Sequence, residues 1–560
     1  LLGVLAIVTV TPSLLLAPSA GAAGAFVPIS GSGSSFSQNA VDQWRRNLNS
    51  NNGITINYSG TGSTSGRNDF KNGLVDFANT EIPYGLTDGG VFDKPPDRAF
   101  GYMPLVAGGT AFMYNLKIGG KQVTNLRLSG DTITKIFTQK ITNWSDPAIK
   151  DDNPGLTLPA RQIVPVVRAD GSGTTAQFTL WMSSLYGAQW DDYCHRAGVT
   201  VPTCGFTSFY PIANGMVSKS GSVGVAGYVA QNSSEGAITY VEYSYARNAG
   251  FPVAKLLNKA NYYVEPTAPS VAVALLKAKL HDDLTQDLTE VWVNPDPRTY
   301  PISSYSYMIV PRDLKANFTT EKGRTLGEFA YYFLCEGQQL ADQLGYSPLP
   351  INLVQAGIDQ TKQIPGSDQA DNKIDRNNLA GCHNPTVSPT GGNLIAQNAP
   401  QPQPCDLKGP TQCTTGTGGA AKTSTANSGG GGTQNSGGGG TADSGGGGPQ
   451  SSGGGGPQSS GGGGTADSGG TGGTAAGTDS GGGGATTGID PDTGQATGTS
   501  LSSGSSGVSA VPVSVDVADN RRQMVLASLA VVLLLGLVLG PPLVARTMRR
   551  RAGPQQGQLS

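Results

Sequence analysis

Three stretches of the chain share one composition: Gly31-Ser-Gly-Ser-Ser35-Phe36, Gly60-Thr-Gly-Ser63-Thr-Ser65-Gly66 and Arg168-Ala-Asp170-Gly171-Ser172-Gly173-Thr174-Thr175. Each is a Gly/Ser/Thr run placed just before a segment that reads as a helix. A helix N-terminus leaves N–H groups unpaired and carries about half a positive charge, so it draws an anion. Glycine lets the backbone come close to such a ligand, and hydroxyls add donors that rotate to fit it. Ser and Thr are also ordinary helix N-caps, so one such loop says little. Three of them, one with an arginine, point to an oxyanion site. Arg168 is the charge clamp, a planar fork suited to a tetrahedral oxyanion. Asp170, two residues on, is placed to fix that fork; the alternative for this pair is an exposed ion pair on the surface.

The elements around these loops alternate. Residues 36–49 carry Val41, Trp44 and Leu48 at i, i+3 and i+7, which is one helical face. Ile54 to Tyr58 alternates as a strand does, and the second Gly/Ser/Thr loop then leads into another helix. Phe112-Met-Tyr, residues 163–167 and residues 307–310 read as buried strands, and Phe178, Trp181, Met182 and Leu185 form a further helical stripe. Strand, polar loop and helix in repetition predict an α/β fold.

Composition limits how much of the chain can fold this way. Of 560 residues 82 are Gly, concentrated between 414 and 510, where no core can be buried. Ser428, Ser436, Ser444, Ser452, Ser460 and Ser468 recur every eight residues, the first five each followed by four glycines. This is the composition of a tether, and about 100 such residues have an r.m.s. span of roughly 50–60 Å. The formal net charge is −2. Arg521, Arg522, Arg546, Arg549, Arg550 and Arg551 flank one apolar run; without these six, 31 basic groups face 39 acidic ones. The body is mildly acidic, which argues against nucleic acid as a partner.

Both ends suggest a membrane. Residues 1–16 are mostly apolar and Ala20-Gly-Ala22-Ala23 supplies small residues for cleavage, so residues 1–23 read as a signal peptide, with a start expected either upstream of Leu1 or at a non-standard codon. Residues 524–545 lack any charge and are long enough to span a bilayer. A transmembrane helix is predicted over 521–546, with a cytoplasmic basic tail at 547–560 and the body outside the cell. The 6 cysteines suit an oxidising compartment. Pairing of sequence neighbours is expected, Cys194 with Cys204, Cys335 with Cys382 and Cys405 with Cys413, although six cysteines allow 15 connectivities. With no CxxC, a zinc site would need distant fragments, so neither a metal nor a cofactor is expected.

Taken in order, Gly31 to Phe36, Asn57-Tyr58-Ser-Gly60-Thr-Gly62-Ser63, Val75-Asp76-Phe77-Ala78-Asn79-Thr80-Glu81-Ile82-Pro83, Ile141-Thr-Asn-Trp144, Arg168 to Thr174 and Leu344-Gly-Tyr-Ser-Pro-Leu-Pro350 resemble the phosphate-binding proteins of the ABC phosphate uptake system, the PstS family. The resemblance covers roughly residues 26 to 365. It implies a two-lobed, type II periplasmic-binding fold closing over inorganic phosphate, with ABC permease subunits as partners. It also implies roles. Ser35 matches the first loop's hydroxyl, Phe36 the amide that opens the first helix, and Ser63 the serine of the second loop. Arg168 matches the phosphate-holding arginine, Asp170 its buttress, and Ser172, Gly173 and Thr174 the loop that completes the cage.

Glu81 stands where this family usually has an aspartate that accepts the proton of hydrogen phosphate. A carboxylate there accepts that proton but repels fully ionised sulfate. Buried in a closed cleft, it is expected to pair with the ligand's proton or with Arg168. The expected organisation is a phosphate-binding domain at 24–392, its first lobe at about 26–115 and 300–392 and its second at about 116–299, then a disordered Gly/Ser-rich linker at 393–520. Competing classes fare worse. A hydrolase needs a nucleophile with a base or metal, yet there is no G-x-S-x-G, H-E-x-x-H or Walker A pattern and only 3 His. The alternative is a surface protein, structural or sensory, that uses the same fold without transport.

Overall fold

The alternation of strand, polar loop and helix resolves into parallel β-α-β units on either side of one long antiparallel strand. The computed structural model describes residues 26–422 other than 380 and 388–391, together with two short paired strands at Gly488–Ile489 and Ala496–Thr497. The predicted signal peptide, the 521–546 span, the basic tail and most of the linker lie outside the described residues. Among the described residues no helix is long and apolar enough to cross a membrane.

In chain order the site-bearing elements are β1 (Ile29–Gly33), α1 (Gln38–Asn52), β2 (Ile56–Ser59), α2 (Ser63–Lys71), β3 (Phe77–Thr80), β4 (Phe100–Tyr114), β5 (Val164–Arg168), α3 (Gly173–Arg196), β6 (Val217–Lys219), α4 (Gly221–Val229), β7 (Ala237–Glu242), α5 (Tyr243–Asn248), β8 (Val253–Leu257) and β9 (Ser303–Pro311). The sheet runs β6-β5-β7-β4-β9-β3-β1-β2, with β8 also paired to β4. β1 pairs in parallel with β2 and β3, and β5 with β6 and β7, as crossover helices require.

The long strand β4 divides the molecule. Phe100 to Gly109 pair antiparallel with β9, and Thr110 to Tyr114 pair antiparallel with β7. Its partner changes between Gly109 and Thr110, so one strand belongs to both halves of the sheet and both of its faces are buried. This is a two-lobed α/β binding-protein architecture with lobes that are discontinuous in sequence.

The predicted helical stripes are core. Val41, Trp44 and Leu48 of α1 are buried, and Trp44 stacks on Phe333 with ring centroids 5.5 Å apart while its indole donates to Gly337 O at 2.7 Å. In the second lobe Phe178 of α3 packs against Phe112, Phe137 and Tyr240. Leu185 departs from its predicted stripe: α3 has non-helical dihedrals at Tyr186, so the face rotates there and Leu185 is left exposed.

Gln286 bonds to β9, its amide N–H donating to the Tyr307 hydroxyl at 2.7 Å and its side chain to Tyr305 O at 3.0 Å, while Asn258 donates to Pro297 O at 2.8 Å and Thr299 O at 3.2 Å, so residues 286–299 touch both lobes. One expected boundary shifts. The linker expected from 393 does not begin there. Asn393 caps the short helix Leu394–Gln397, whose Ala396 packs with Ala272 and Val273. The buried guanidinium of Arg127 donates to Cys405 O and Thr411 O, Lys255 pairs with Asp406 at 2.7 Å, and the Thr417 hydroxyl donates to Val253 O at 2.5 Å. Residues 393–422 are therefore a strap on the second lobe, which they join by satisfying that lobe's buried donors and acceptors. The disulfides are Cys194–Cys204, Cys335–Cys382 and Cys405–Cys413, the neighbourly pairing, with the last closing a loop inside the strap.

Candidate functional site

Four helix N-termini meet where the lobes face each other: α1 after Ser37 and α2 after Gly62 from the first, α3 after Ser172 and α4 after Ser220 from the second. Three follow the predicted loops. The fourth, Ser220-Gly221-Ser222, repeats the same Ser/Gly pattern and was not singled out from the sequence.

The cleft is closed, because groups from the two lobes hydrogen-bond one another directly. Ser35 and Ser222 share a hydroxyl–hydroxyl bond of 2.8 Å, and the Ser222 amide donates to Ser35 Oγ at 3.2 Å. The Gly173 amide, first of α3, donates to Ser63 Oγ at 3.1 Å, and Gln177 donates to the Glu81 carbonyl at 2.8 Å. Beside them the Thr64 amide donates to Gly171 O at 3.1 Å.

Two glycines make this approach possible. A Cβ on Gly173 would fall 2.0 Å from Glu81 Oε2 and 2.5 Å from Ser63 Oγ. Gly62 has φ +101, and a Cβ there would fall 2.7 Å from Asp170 Oδ2. No side chain larger than hydrogen fits at either position without moving a site residue.

Arg168, at the end of β5, is buried, so the surface ion-pair alternative fails: its side chain is 2% exposed and that of Asp170 is 15% exposed. Arg168 Nε donates to Asp170 Oδ1 at 2.8 Å, Nη2 donates to Asp170 Oδ2, and Nη1 donates to Ser222 Oγ at 3.4 Å. A guanidinium has five N–H groups. Three are engaged in these bonds, which leaves one further N–H on each terminal nitrogen. Burial alone raises the Asp170 carboxyl, but the hydrogen bonds and charge of Arg168, with the Gly221 amide at 2.8 Å, outweigh it and hold it below its ordinary value. Asp170 thus stays ionised and fixes the fork.

Glu81 is 1% exposed, immediately after β3. The expected pairing with Arg168 is not made. Instead its carboxylate accepts from three serine hydroxyls: Ser63 on Oε2 at 2.7 Å, Ser306 on Oε1 at 2.8 Å, and Ser34 also on Oε1. Burial pushes the Glu81 carboxyl above its ordinary value, and the serine bonds and the more distant Arg168 charge oppose that rise without cancelling it.

The remaining predicted residues fall at the same place. Ser172 caps α3 by accepting from the Thr175 amide at 3.2 Å, which leaves its hydroxyl proton available. Thr174 is 2% exposed, and its hydroxyl has no hydrogen-bond partner among the described residues. The Phe36 amide donates to Ser34 Oγ at 3.0 Å. The site therefore joins Ser35, Phe36, Ser63, Glu81, Arg168, Asp170, Ser172, Gly173 and Thr174. Ser34, Ser222 and Ser306 are members that sequence reasoning missed. Ser34 sat inside a loop already noted and Ser222 followed the fourth Ser/Gly motif, but Ser306 lies on strand β9 with no local signal.

Such an arrangement holds an anion without reacting with it: converging amides, hydroxyls and one forked cation surround a carboxylate that can accept a proton.

Comparison with known proteins agrees. The model of the PBP superfamily domain matches residues 17–336. The phosphate-binding protein PstS of Xylella fastidiosa is 34% identical over 329 residues, spanning 59% of this chain and 83% of that protein. Its namesake in Methanocaldococcus jannaschii is 31% identical over 347 residues, spanning 59% and 85%. A solved phosphate ABC transporter substrate-binding protein from Clostridium perfringens overlaps 58% of this chain and 100% of its own at 18% identity, with a TM-score of 0.39 that adds no weight. The match over most of the length of these relatives, on a chain that carries the site just described, places this protein in the PstS family of phosphate-binding proteins.

Proposed function

We propose that the chain captures inorganic phosphate outside the cytoplasm and delivers it to an ABC-type phosphate permease. The observation that carries this reading is the buried Arg168 guanidinium, fixed by a buried aspartate at the meeting point of four helix N-termini and keeping one N–H on each terminal nitrogen beyond its bonds to Asp170 and Ser222. A guanidinium so held suits the oxygens of a tetrahedral oxyanion. The Gly173 amide and the Ser35, Ser63, Ser172 and Thr174 hydroxyls supply further donors, and Phe36 adds its amide. Across the cleft the Gly173 amide reaches Ser63 Oγ and the Ser35 hydroxyl reaches Ser222, so donors from both lobes converge on one place.

Glu81 selects among oxyanions. Its carboxylate accepts the proton of hydrogen phosphate, whereas sulfate at neutral pH has no proton to give and meets repulsion in a dry site.

The same reading makes the binding domain extracytoplasmic, with a signal peptide, a Gly/Ser tether and a single span whose flanking arginines favour a cytoplasmic C-terminus. Support for that anchor is the charge-free run of residues 524–545. The test of the binding reading is equilibrium dialysis of the purified, unfolded and refolded chain against labelled phosphate, with and without excess sulfate. Retention of label that sulfate does not displace is expected; no retention overturns the reading.

A further inference from the structure

Three consecutive carbonyls of the first loop each accept a hydrogen bond from a buried phenol. Tyr58 donates to Ser34 O at 2.7 Å, Tyr245 to Ser35 O at 2.6 Å and Tyr346 to Phe36 O at 2.5 Å. All three rings are buried, and burial raises each hydroxyl above its ordinary pKa, so each remains a donor. In a trans peptide the C=O and the following N–H point in opposite directions. A phenol on the Ser35 carbonyl therefore turns the Phe36 N–H away from itself, and the same holds for Tyr58 with the Ser35 N–H and Tyr346 with the Ser37 N–H. Together the tyrosines set the aim of the loop's amides.

The three phenols come from different places. Tyr58 lies on β2 and Tyr346 adjoins Ser347, which bridges to Ala107 in the first-lobe part of β4. Tyr245 lies on α5, directly after β7 of the second lobe. Its bond to Ser35 spans 210 positions of sequence and crosses between the lobes. Ser222 of the second lobe holds the hydroxyl of the same residue. Ser35 is thus held from the opposite lobe at both its carbonyl and its side chain, whereas Ser34 O is held from its own lobe and the Tyr346 hydroxyl on Phe36 O also accepts from Ser244 Oγ of α5 at 3.2 Å. Tyr245 is itself stationed by the start of α5, where the Ser244 amide donates to Glu242 Oε2 at 2.8 Å and Asn39 donates to Ser244 Oγ at 2.8 Å.

We propose that Tyr245 is a positioning residue that couples lobe closure to the aim of the first anion-binding loop. With the lobes together, its phenol fixes the Ser35–Phe36 peptide, whose N–H lies on Ser34 Oγ beside the Glu81 carboxylate; with the lobes apart, that peptide loses this restraint. Tyr58 holds the preceding peptide from within the first lobe. The inference rests on the oxyanion reading of the site and deepens it, since it makes part of the site exist only in the closed form.

The test compares Tyr245→Phe, Tyr58→Phe and Tyr346→Phe with the wild type in the full chain. It uses three readouts: phosphate affinity with its dissociation rate, melting temperature without phosphate, and amide exchange over residues 34–37. Tyr245→Phe is expected to weaken phosphate binding roughly tenfold, chiefly through faster dissociation, because a buried carbonyl loses its partner in the closed state alone. Its ligand-free melting temperature should match the wild type, while Tyr58→Phe and Tyr346→Phe lower theirs. Phosphate binding within twofold of wild type, or a ligand-free melting temperature lowered as far as in Tyr346→Phe, overturns the coupling. A wild type that binds no phosphate removes the phosphate reading, and exchange then decides. Faster exchange at 34–37 in Tyr245→Phe upholds the coupling as a property of the fold, and unchanged exchange overturns it.

Discussion

Replacing Arg168 tests the site where its geometry is most explicit. Two of its five N–H groups are engaged by Asp170 and a third reaches Ser222 at 3.4 Å, which leaves two donors for an anion. A hydrogen bond to a charged group is worth about 1.5–3 kcal/mol, so losing two predicts about 3–6 kcal/mol, or roughly 10²–10⁴ in phosphate affinity. Arg168→Ala should fall toward the upper end, because it also leaves the Asp170 carboxylate, 15% exposed, facing the incoming anion with the Gly221 amide as its remaining partner described here. Arg168→Lys keeps a charge but not the fork, and should lose about 10–100-fold. Asp170→Asn added to Arg168→Ala should recover part of the loss by removing the repulsion. Calorimetric titration of the refolded proteins, with melting curves to establish that each folds, reads all three. A folded Arg168→Ala protein that binds phosphate within tenfold of wild type, or an Arg168→Lys protein equal to it, refutes the bidentate role.

Glu81 predicts a pH dependence of stability. Burial raises its native carboxyl above the ordinary 4.5, so the native state keeps a proton that the unfolded chain releases. The wild type should therefore lose stability as pH climbs from 4.5 towards the raised native value, at up to about 1.4 kcal/mol per pH unit, while Glu81→Gln should lack that increment. Urea unfolding without phosphate across this range measures the difference, and identical slopes contradict the assignment. Gly173→Ala inserts a methyl group 2.0 Å from Glu81 Oε2 and should reduce phosphate affinity at least about 100-fold while the lobes stay folded; near-normal titration would show that the cleft does not close as described. Ending the chain at 392 instead of 422 strips Arg127 of its carbonyl acceptors in the strap and Lys255 of Asp406, and should cost about 2–5 kcal/mol in denaturant unfolding. Equal midpoints for the two forms would mean that the strap contributes nothing.

What could be read from the sequence was whatever leaves a local pattern. The Gly/Ser/Thr loops announced helix N-termini because glycine and hydroxyls must lie next to one another there, and Arg168 with Asp170 showed itself by proximity. The Val41, Trp44 and Leu48 stripe and the neighbouring cysteines were legible for the same reason. The ring around Glu81 was not. Its partners Ser34, Ser63 and Ser306 lie 47, 18 and 225 positions away, so no spacing reveals them, and serine is too common to flag by type. The phenols on Ser34, Ser35 and Phe36 come from β2, α5 and the approach to residue 347, and are united only by folding. The strap escaped because residues 393–422 were joined to the Gly/Ser-rich linker, although the glycine-saturated repeat starts only later. Leu185 was misplaced because a single break at Tyr186 is invisible to a periodicity count.

The most direct measurement is a crystal structure of the unfolded and refolded chain grown with phosphate and, separately, with sulfate. One phosphate should lie within hydrogen-bonding distance of both terminal nitrogens of Arg168, the Gly173 amide and the Ser63 hydroxyl, with Glu81 against one of its oxygens, and the sulfate crystals should show nothing at that position. Phosphate bound elsewhere, or sulfate held by the same groups in the same way, contradicts the account.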